Sequence, residues 1–231
     1  MNIKPLALSL LVSSTPLMAQ EVTVEITNLT QGIYFTPLLV SAHDAQYHLF
    51  EAGTSAGPEL QAMAEGGDIA GLLGIADSVG AVSAANPAEG LLGPATTTTA
   101  SLANVEMGSV LSITAMVLPS NDGFVGLDSW AIPTEPGTYT IYLNAYDAGT
   151  EANDELIVEG SGAPGVPGMP ANPGGNGGTG GTGVIDSEPN TLIHIHRGTL
   201  GDNDPVGGPS DLDSRLHRWL NPVARAVITV Q

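Results

Sequence analysis

The sequence predicts an all-β fold: an antiparallel β-sandwich with one or two short helices and a long Gly/Pro-rich loop. Three observations lead there. Short runs rich in β-branched and apolar residues recur with turn residues between them. Helical segments are few and do not alternate with strands, which argues against a parallel α/β sheet. Thirty glycines and seventeen prolines punctuate the 231-residue chain, too often for long helices.

Residues 1–19 read as a secretory signal. Lys4 gives the basic start, Leu6 to Val12 the apolar stretch, and Ala19 a small residue before a cut ahead of Gln20. That stretch is too short to span a bilayer, and no later one approaches the length required. The expected product is exported, to the periplasm or outside the cell, as one domain over residues 20–231.

Within that domain, residues 21–26 alternate Glu, Val, Thr, Val, Glu, Ile and predict a half-buried strand. Residues 33–40 predict a second strand, interrupted by Pro37. Residues 47–51 are a short extended candidate. Pro58 suits the first turn of a helix over 58–65, which Gly66 and Gly67 end, and residues 68–78 predict another helical turn or two. Residues 81–100, small and threonine-rich, read as an irregular loop. Residues 105–118 predict a strand, 125–132 a shorter one with Trp130 inward, and 138–146 a third. Residues 156–158 are extended. Residues 160–183 are rich in Gly, Pro and Asn and predict a mobile insertion. Residues 191–196 alternate again, 211–220 predict a short helix, and 223–230 close the chain as a strand.

Charge narrows the partners. The chain carries a net charge of −19, and loss of the signal removes Lys4, its one lysine. Four arginines then face twenty-four acids, a net charge of −20. Such a surface repels nucleic acid and anionic lipid. There are no cysteines, which excludes disulfides, thiol chemistry and cysteine-based zinc sites.

Carboxylates stand at strand ends. Asp122 follows the run 105–118, and Asp147 and Glu151 follow the run 138–146. If those strands are neighbours, three carboxylates converge at one end of the sheet. Ca²⁺, which takes roughly six to eight oxygen ligands, suits that arrangement. The plain alternative is a set of solvated loop acids.

The chain resembles the spondin domain, the N-terminal module of F-spondin and mindin that also occurs in bacterial secreted proteins. The resemblance is carried by Gly32-Ile33-Tyr34-Phe35-Thr36-Pro37 with His43, and by Leu49-Phe50-Glu51-Ala52-Gly53 with Ala64-Glu65-Gly66. It continues through Pro119-Ser120, Asp122, Phe124-Val125-Gly126-Leu127 and Asp147-Ala148-Gly149-Thr150-Glu151, and ends on Ile193-His194 and His196. It implies a β-sandwich that binds one Ca²⁺ through Asp122, Asp147 and Glu151. It also implies a non-enzymatic role in adhesion or in binding a cell-surface or extracellular protein, glycan or lipid. Two positions depart from the family pattern: Glu151 stands where aspartate is frequent, and Gly123 where an aromatic commonly follows the first acid.

Other features point to weaker chemistry. Gly53-Thr54-Ser55-Ala56-Gly57 fits the hydrolase nucleophile elbow and makes Ser55 a candidate nucleophile, yet the surrounding pattern is not α/β. His194 and His196 share one face of a strand, and with His43 could hold Zn²⁺ or Cu²⁺; hydrogen-bonded packing is the plainer account. Asp202-Asn203-Asp204 and Asp211-Leu212-Asp213 resemble pieces of an EF-hand loop, but the frame fails and the closing Glu is missing. Asn28-Leu29-Thr30 is a glycosylation pattern. A passive structural role, with the charge serving solubility alone, is the remaining alternative to a binding module.

Overall fold

The computed structural model describes residues 19–163, 165–175 and 177–231. The signal predicted over 1–19 therefore lies, but for Ala19, outside the described residues. Among the described residues, ten strands and two helices follow one another: β1 (Ala19–Asn28), β2 (Tyr34–Phe35), β3 (Leu39–His43), α1 (Pro58–Gly66), α2 (Ala70–Ser78), β4 (Val82–Ala85), β5 (Thr97–Glu106), β6 (Val110–Leu118), β7 (Gly123–Ala131), β8 (Gly137–Asp147), β9 (His194–Ile195) and β10 (Ala224–Val230). The fold is all-β, as the sequence predicts. Every strand pair is antiparallel, in the order β4-β3-β6-β7-β8-β10-β1-β5, with β2 on β6 and β9 on β8. The sheet curls until its edges β4 and β5 lie against each other, which leaves little open edge for association.

Alternation builds the core. Val22, Val24 and Ile26 of β1 face inward with Ala226, Ile228 and Val230 of β10 and Leu111, Ile113, Ala115 and Val117 of β6. Strand β6 is buried along its whole length because its other face carries a second cluster. There Leu60, Met63 and Ala64 of α1 and Leu72 and Ala76 of α2 pack on Leu39, Met116, Leu118 and Phe124. Gly67, at φ 73°, ends α1 in the left-handed region, where glycine carries no Cβ penalty.

Four sequence expectations are corrected. The loop expected over 81–100 contains β4 and the start of β5. Small residues hid its alternation, in which Thr98, Ala100 and Leu102 point inward. The single strand expected over 105–118 is two, β5 and β6, divided by a turn with Gly108 at φ 91°. The strand expected over 33–40 is β2 and β3, parted at Pro37, which has no N–H for a ladder. No helix forms over 211–220, where Asp213 and Ser210 tie the backbone into turns instead. The pattern at Asn28 is also structural, because its buried amide donates to the Ile33 and Leu92 carbonyls.

Beyond residue 153 the chain has little ladder, and acids organise it. Asp211 accepts from the backbone N–H groups of Ile157, Thr179, Gly180 and Gly181. Burial works to raise its pKa, but those four donors outweigh it and hold the pKa below the usual value. Glu155, buried and at φ 59°, accepts from Leu200 N, Gly201 N and the Ser210 hydroxyl. Glu65, at the end of α1, accepts from Gly165 N at 2.8 Å, and Gly66 lies so close to the Gly162 carbonyl that no side chain fits between them.

Candidate metal centre

Strands β7 and β8 bring two of the expected acids together. Gly123 pairs with Asp147, and Ala148 N donates to the Asp122 carbonyl at 3.2 Å, so the strand ends carrying Asp122 and Asp147 lie side by side. Asp122 is fully buried and Asp147 is 1 % exposed. The turn after β8 wraps around the Asp122 carboxylate: Oδ2 accepts from Thr150 N at 2.7 Å, Thr150 Oγ1 at 3.1 Å and Glu151 N at 3.1 Å. Asp147 Oδ1 accepts from Gly149 N at 2.8 Å, and its Oδ2 from Asn153 Nδ2 at 2.7 Å. Gly149 adopts φ 70°, and a Cβ there would meet the backbone of Thr191 and Leu192.

Glu151, the third expected acid, sits buried in the same corner, with its carboxylate held by other partners. Its Oε2 accepts from Gly168 N at 2.9 Å and Asn121 Nδ2 at 3.4 Å. Two oxygens remain over: Asp122 Oδ1 and Glu151 Oε1 are buried with no hydrogen-bond partner. A buried acceptor left unpaired costs about 1–3 kcal/mol, so each calls for a ligand or a proton.

The electrostatics agree. Burial, joined by the neighbouring charge of Asp147, pushes the Asp122 carboxyl up to about 7. Burial pushes Glu151 up to about 7 as well, against the Gly168 N–H and with the charges of Glu65 and Asp122 adding. Asp147 is also raised, by burial first; the Asn153 amide, Gly149 N–H and His194 oppose the rise. Among the described residues, no three His, Asp or Glu side chains form a group that could hold a metal ion by themselves. A cation here would need neutral oxygens as well.

The other candidates separate. His43 gives its ring nitrogens to the Asp44 carbonyl and Ser112 Oγ, away from the β8–β9 corner. His194 Nε2 is 3.8 Å from Asp147 Oδ2. His196 is buried, packs on Trp219 with ring centroids 4.9 Å apart and the planes tilted by 46°, and accepts from Gly198 N at Nδ1. Burial, then the charges of Arg197 and His194, push its pKa down to about 3, so it is neutral. Ser55 is exposed in the turn before α1 and, among the described residues, has no histidine partner. His48, which lines the same surface hollow, is bound to Asp128 at 2.8 Å and Ser129 at 3.1 Å. The elbow pattern thus lacks both its base and its parallel sheet.

The family of the spondin N-terminal domain is matched over residues 27–156. The chain belongs to that family. The match covers just over half of the chain and contains Asp122, Asp147 and Glu151. It is a family of extracellular, adhesion-type modules without catalytic function. No curated protein matches the chain. Among the described residues, no helix is long and apolar enough to cross a membrane.

Sequence reading missed Asn121, Asn153, Glu65 and Glu188. The first two were in view, one residue before Asp122 and two after Glu151. Glu65 and Glu188 reach the corner from distant segments; Glu65 stood in the Ala64-Glu65-Gly66 pattern of the resemblance but without an assigned role, and no local pattern marks Glu188.

Proposed function

We propose that the protein is a secreted spondin module that binds one Ca²⁺ at the β7–β8 corner and serves adhesion or extracellular ligand binding without catalysis. One observation supports the metal reading: the acidic positions that the resemblance implies are buried carboxylates, and Asp122 and Glu151 each retain an unpartnered oxygen. Asp122 and Asp147 would supply charge, with Glu151 adding an oxygen after a small turn of its side chain. Backbone carbonyls and water would complete the shell, as hard cations accept. A bound cation would offset the mutual repulsion of the acids and lock the turn 147–153 to the end of β7. Export rests on the basic and apolar pattern of residues 1–19.

Thermal unfolding in EDTA and in millimolar calcium tests this, with Asp147→Ala beside the native chain. A midpoint raised by calcium but not by magnesium, and not raised in the variant, supports it. An unmoved midpoint, or equal effects of both cations, removes the calcium site and favours a passive structural role.

A further inference from the structure

The chain's few cations are not spread evenly. Of its four arginines, Arg197 and Arg218 line one surface hollow of about 420 Å³, together with Thr199, Leu200, Trp219 and Leu220. No carboxylate lines it. It lies beyond residues 27–156 and so outside the stretch matched to the family.

The two buried members of this lining are fixed in place. Trp219 packs on His196, and the Thr199 hydroxyl donates to the His217 carbonyl. Gly198 lies so close to the Trp219 carbonyl that no side chain fits between them. Asn221, next after Leu220, ties the segment to β8: its amide accepts from Ala145 N at 2.7 Å and donates to the Ala145 carbonyl at 3.2 Å. The other four members are exposed. Leu200 is 48 % exposed and Leu220 81 %, and both arginines reach solvent. A single exposed leucine is ordinary. Two leucines and two guanidinium groups around one fixed hollow form a patch that serves neither the core nor solubility.

The arginines have capacity to spare. Arg197 gives Nη1–H to Glu188 at 3.0 Å and keeps the rest of its fork. Arg218 has no carboxylate within ion-pair distance among the described residues. A guanidinium fork matches a carboxylate through two parallel hydrogen bonds.

These features select the occupant. Nucleic acid is held by many phosphate contacts, and two arginines on a strongly acidic chain supply too few. A basic segment meets two like charges. An inorganic anion leaves the leucines in water. A small apolar acid would be covered on one side only, because Leu220 stands in solvent, whereas small-molecule sites enclose most of their ligand. A protein segment that sets a carboxylate beside apolar side chains answers both the charge and the exposed leucines. Trp and Arg are also the residues on which protein interfaces concentrate their energy. On this acidic surface, the hollow is where such a segment meets attraction rather than repulsion.

We propose that this hollow is the docking surface for a protein partner that enters with an acidic side chain flanked by apolar ones. The carboxylate takes Arg218 and Arg197, and its apolar neighbours cover Leu200, Leu220 and Trp219. The proposal rests on the reading of the protein as a binding module, but not on calcium.

The test titrates the whole ¹⁵N-labelled protein, in EDTA, with three capped eight-residue peptides. The first sets two glutamates among leucines and phenylalanines. The second has glutamine for glutamate, and the third serine for the apolar residues. The readouts are the Trp219 indole N–H and the Leu220 backbone amide. The first peptide is expected to shift both saturably, and the other two to bind at least roughly tenfold more weakly, the worth of one hydrogen bond to a charged group. Arg218→Gln should weaken the first peptide to the level of the second, and Leu220→Ser should weaken it as well, read at the Trp219 indole. Both positions are exposed, so the unfolding midpoint should not move. The proposal is overturned if the first peptide moves neither signal, if the glutamine form binds as tightly, or if both variants bind as the native chain does. It is also overturned if dilution of the protein alone moves these signals, which would give the face to a second copy. Because the titration is done in EDTA, its failure leaves a calcium-dependent midpoint untouched, and loss of the calcium site leaves peptide binding intact.

Discussion

Gly123 and His196 compete for one space. A Cβ on Gly123 would stand 3.1 Å from His196 Cδ2 and 2.7 Å from Ser120 Oγ, closer than packed carbons approach. The aromatic that the family resemblance leads one to expect beside the first acid has no room, because Ser120 and His196 already fill that position. Gly123→Phe should therefore lower stability to urea by roughly 1–3 kcal/mol or more. It should also shift the Trp219 fluorescence, since the His196 ring against which that indole packs must move. A variant of native stability and unchanged emission would contradict this packing.

Calcium at a hundredfold excess over its dissociation constant should stabilise the fold by about 2.7 kcal/mol. For a chain of this size that is a rise in thermal midpoint of roughly 5–10 °C. Asp122→Asn should lose that rise yet be at least as stable as the native chain in EDTA, because it removes a buried charge while leaving an acceptor for Thr150 and Glu151. Differential scanning calorimetry separates the two effects.

Metal-free stability should fall as pH rises from about 4 to 7. Asp122 and Glu151 have folded-state pKa values raised to about 7. Across that window the native state holds protons that the unfolded chain has released. Stability is therefore greater at pH 5 than at pH 8 by on the order of a few kcal/mol. Urea midpoints in EDTA at the two values check the sign. Calcium affinity should run the other way and increase with pH, since the cation must displace those protons. Titration calorimetry in buffers of different ionisation enthalpy should show their release.

Asp211→Ala should loosen the loops without unfolding the sheet. Ile157, Thr179, Gly180 and Gly181 would lose their shared acceptor, at a cost of about 2–4 kcal/mol to the local structure. Limited proteolysis should then cut within 177–183, while hydrogen exchange in β1, β6 and β10 stays slow. Protection lost equally in those strands would mean that the loops and the sheet unfold together.

The strands with strong alternation, β1, β8 and β10, were legible in the sequence because one face is apolar and β-branched. The first half of β5 was not, since its inward positions are Thr98 and Ala100, which read as loop residues. The site was legible in part. Asp122 and Asp147 follow the runs 105–118 and 138–146, but those runs are not neighbours: β7 lies between β6 and β8, and its pairing with β8 brings the two acids together. The placement of the Glu151 carboxylate was not readable, because its Oε2 is held by Gly168 N, seventeen residues away.

The carboxylate hubs at Glu65, Glu155 and Asp211 have a consequence for how this protein can change. Each gathers distant chain through backbone N–H groups, which nearly every residue type possesses. The segments so gathered are specified by a few acids rather than by their own side chains. Sequence between the hubs is free to drift, lengthen or acquire new surface chemistry, provided that no proline falls on a donor and the tight glycines keep their turns. The third of the chain beyond the family match can thus vary while the sheet beneath it stays the same.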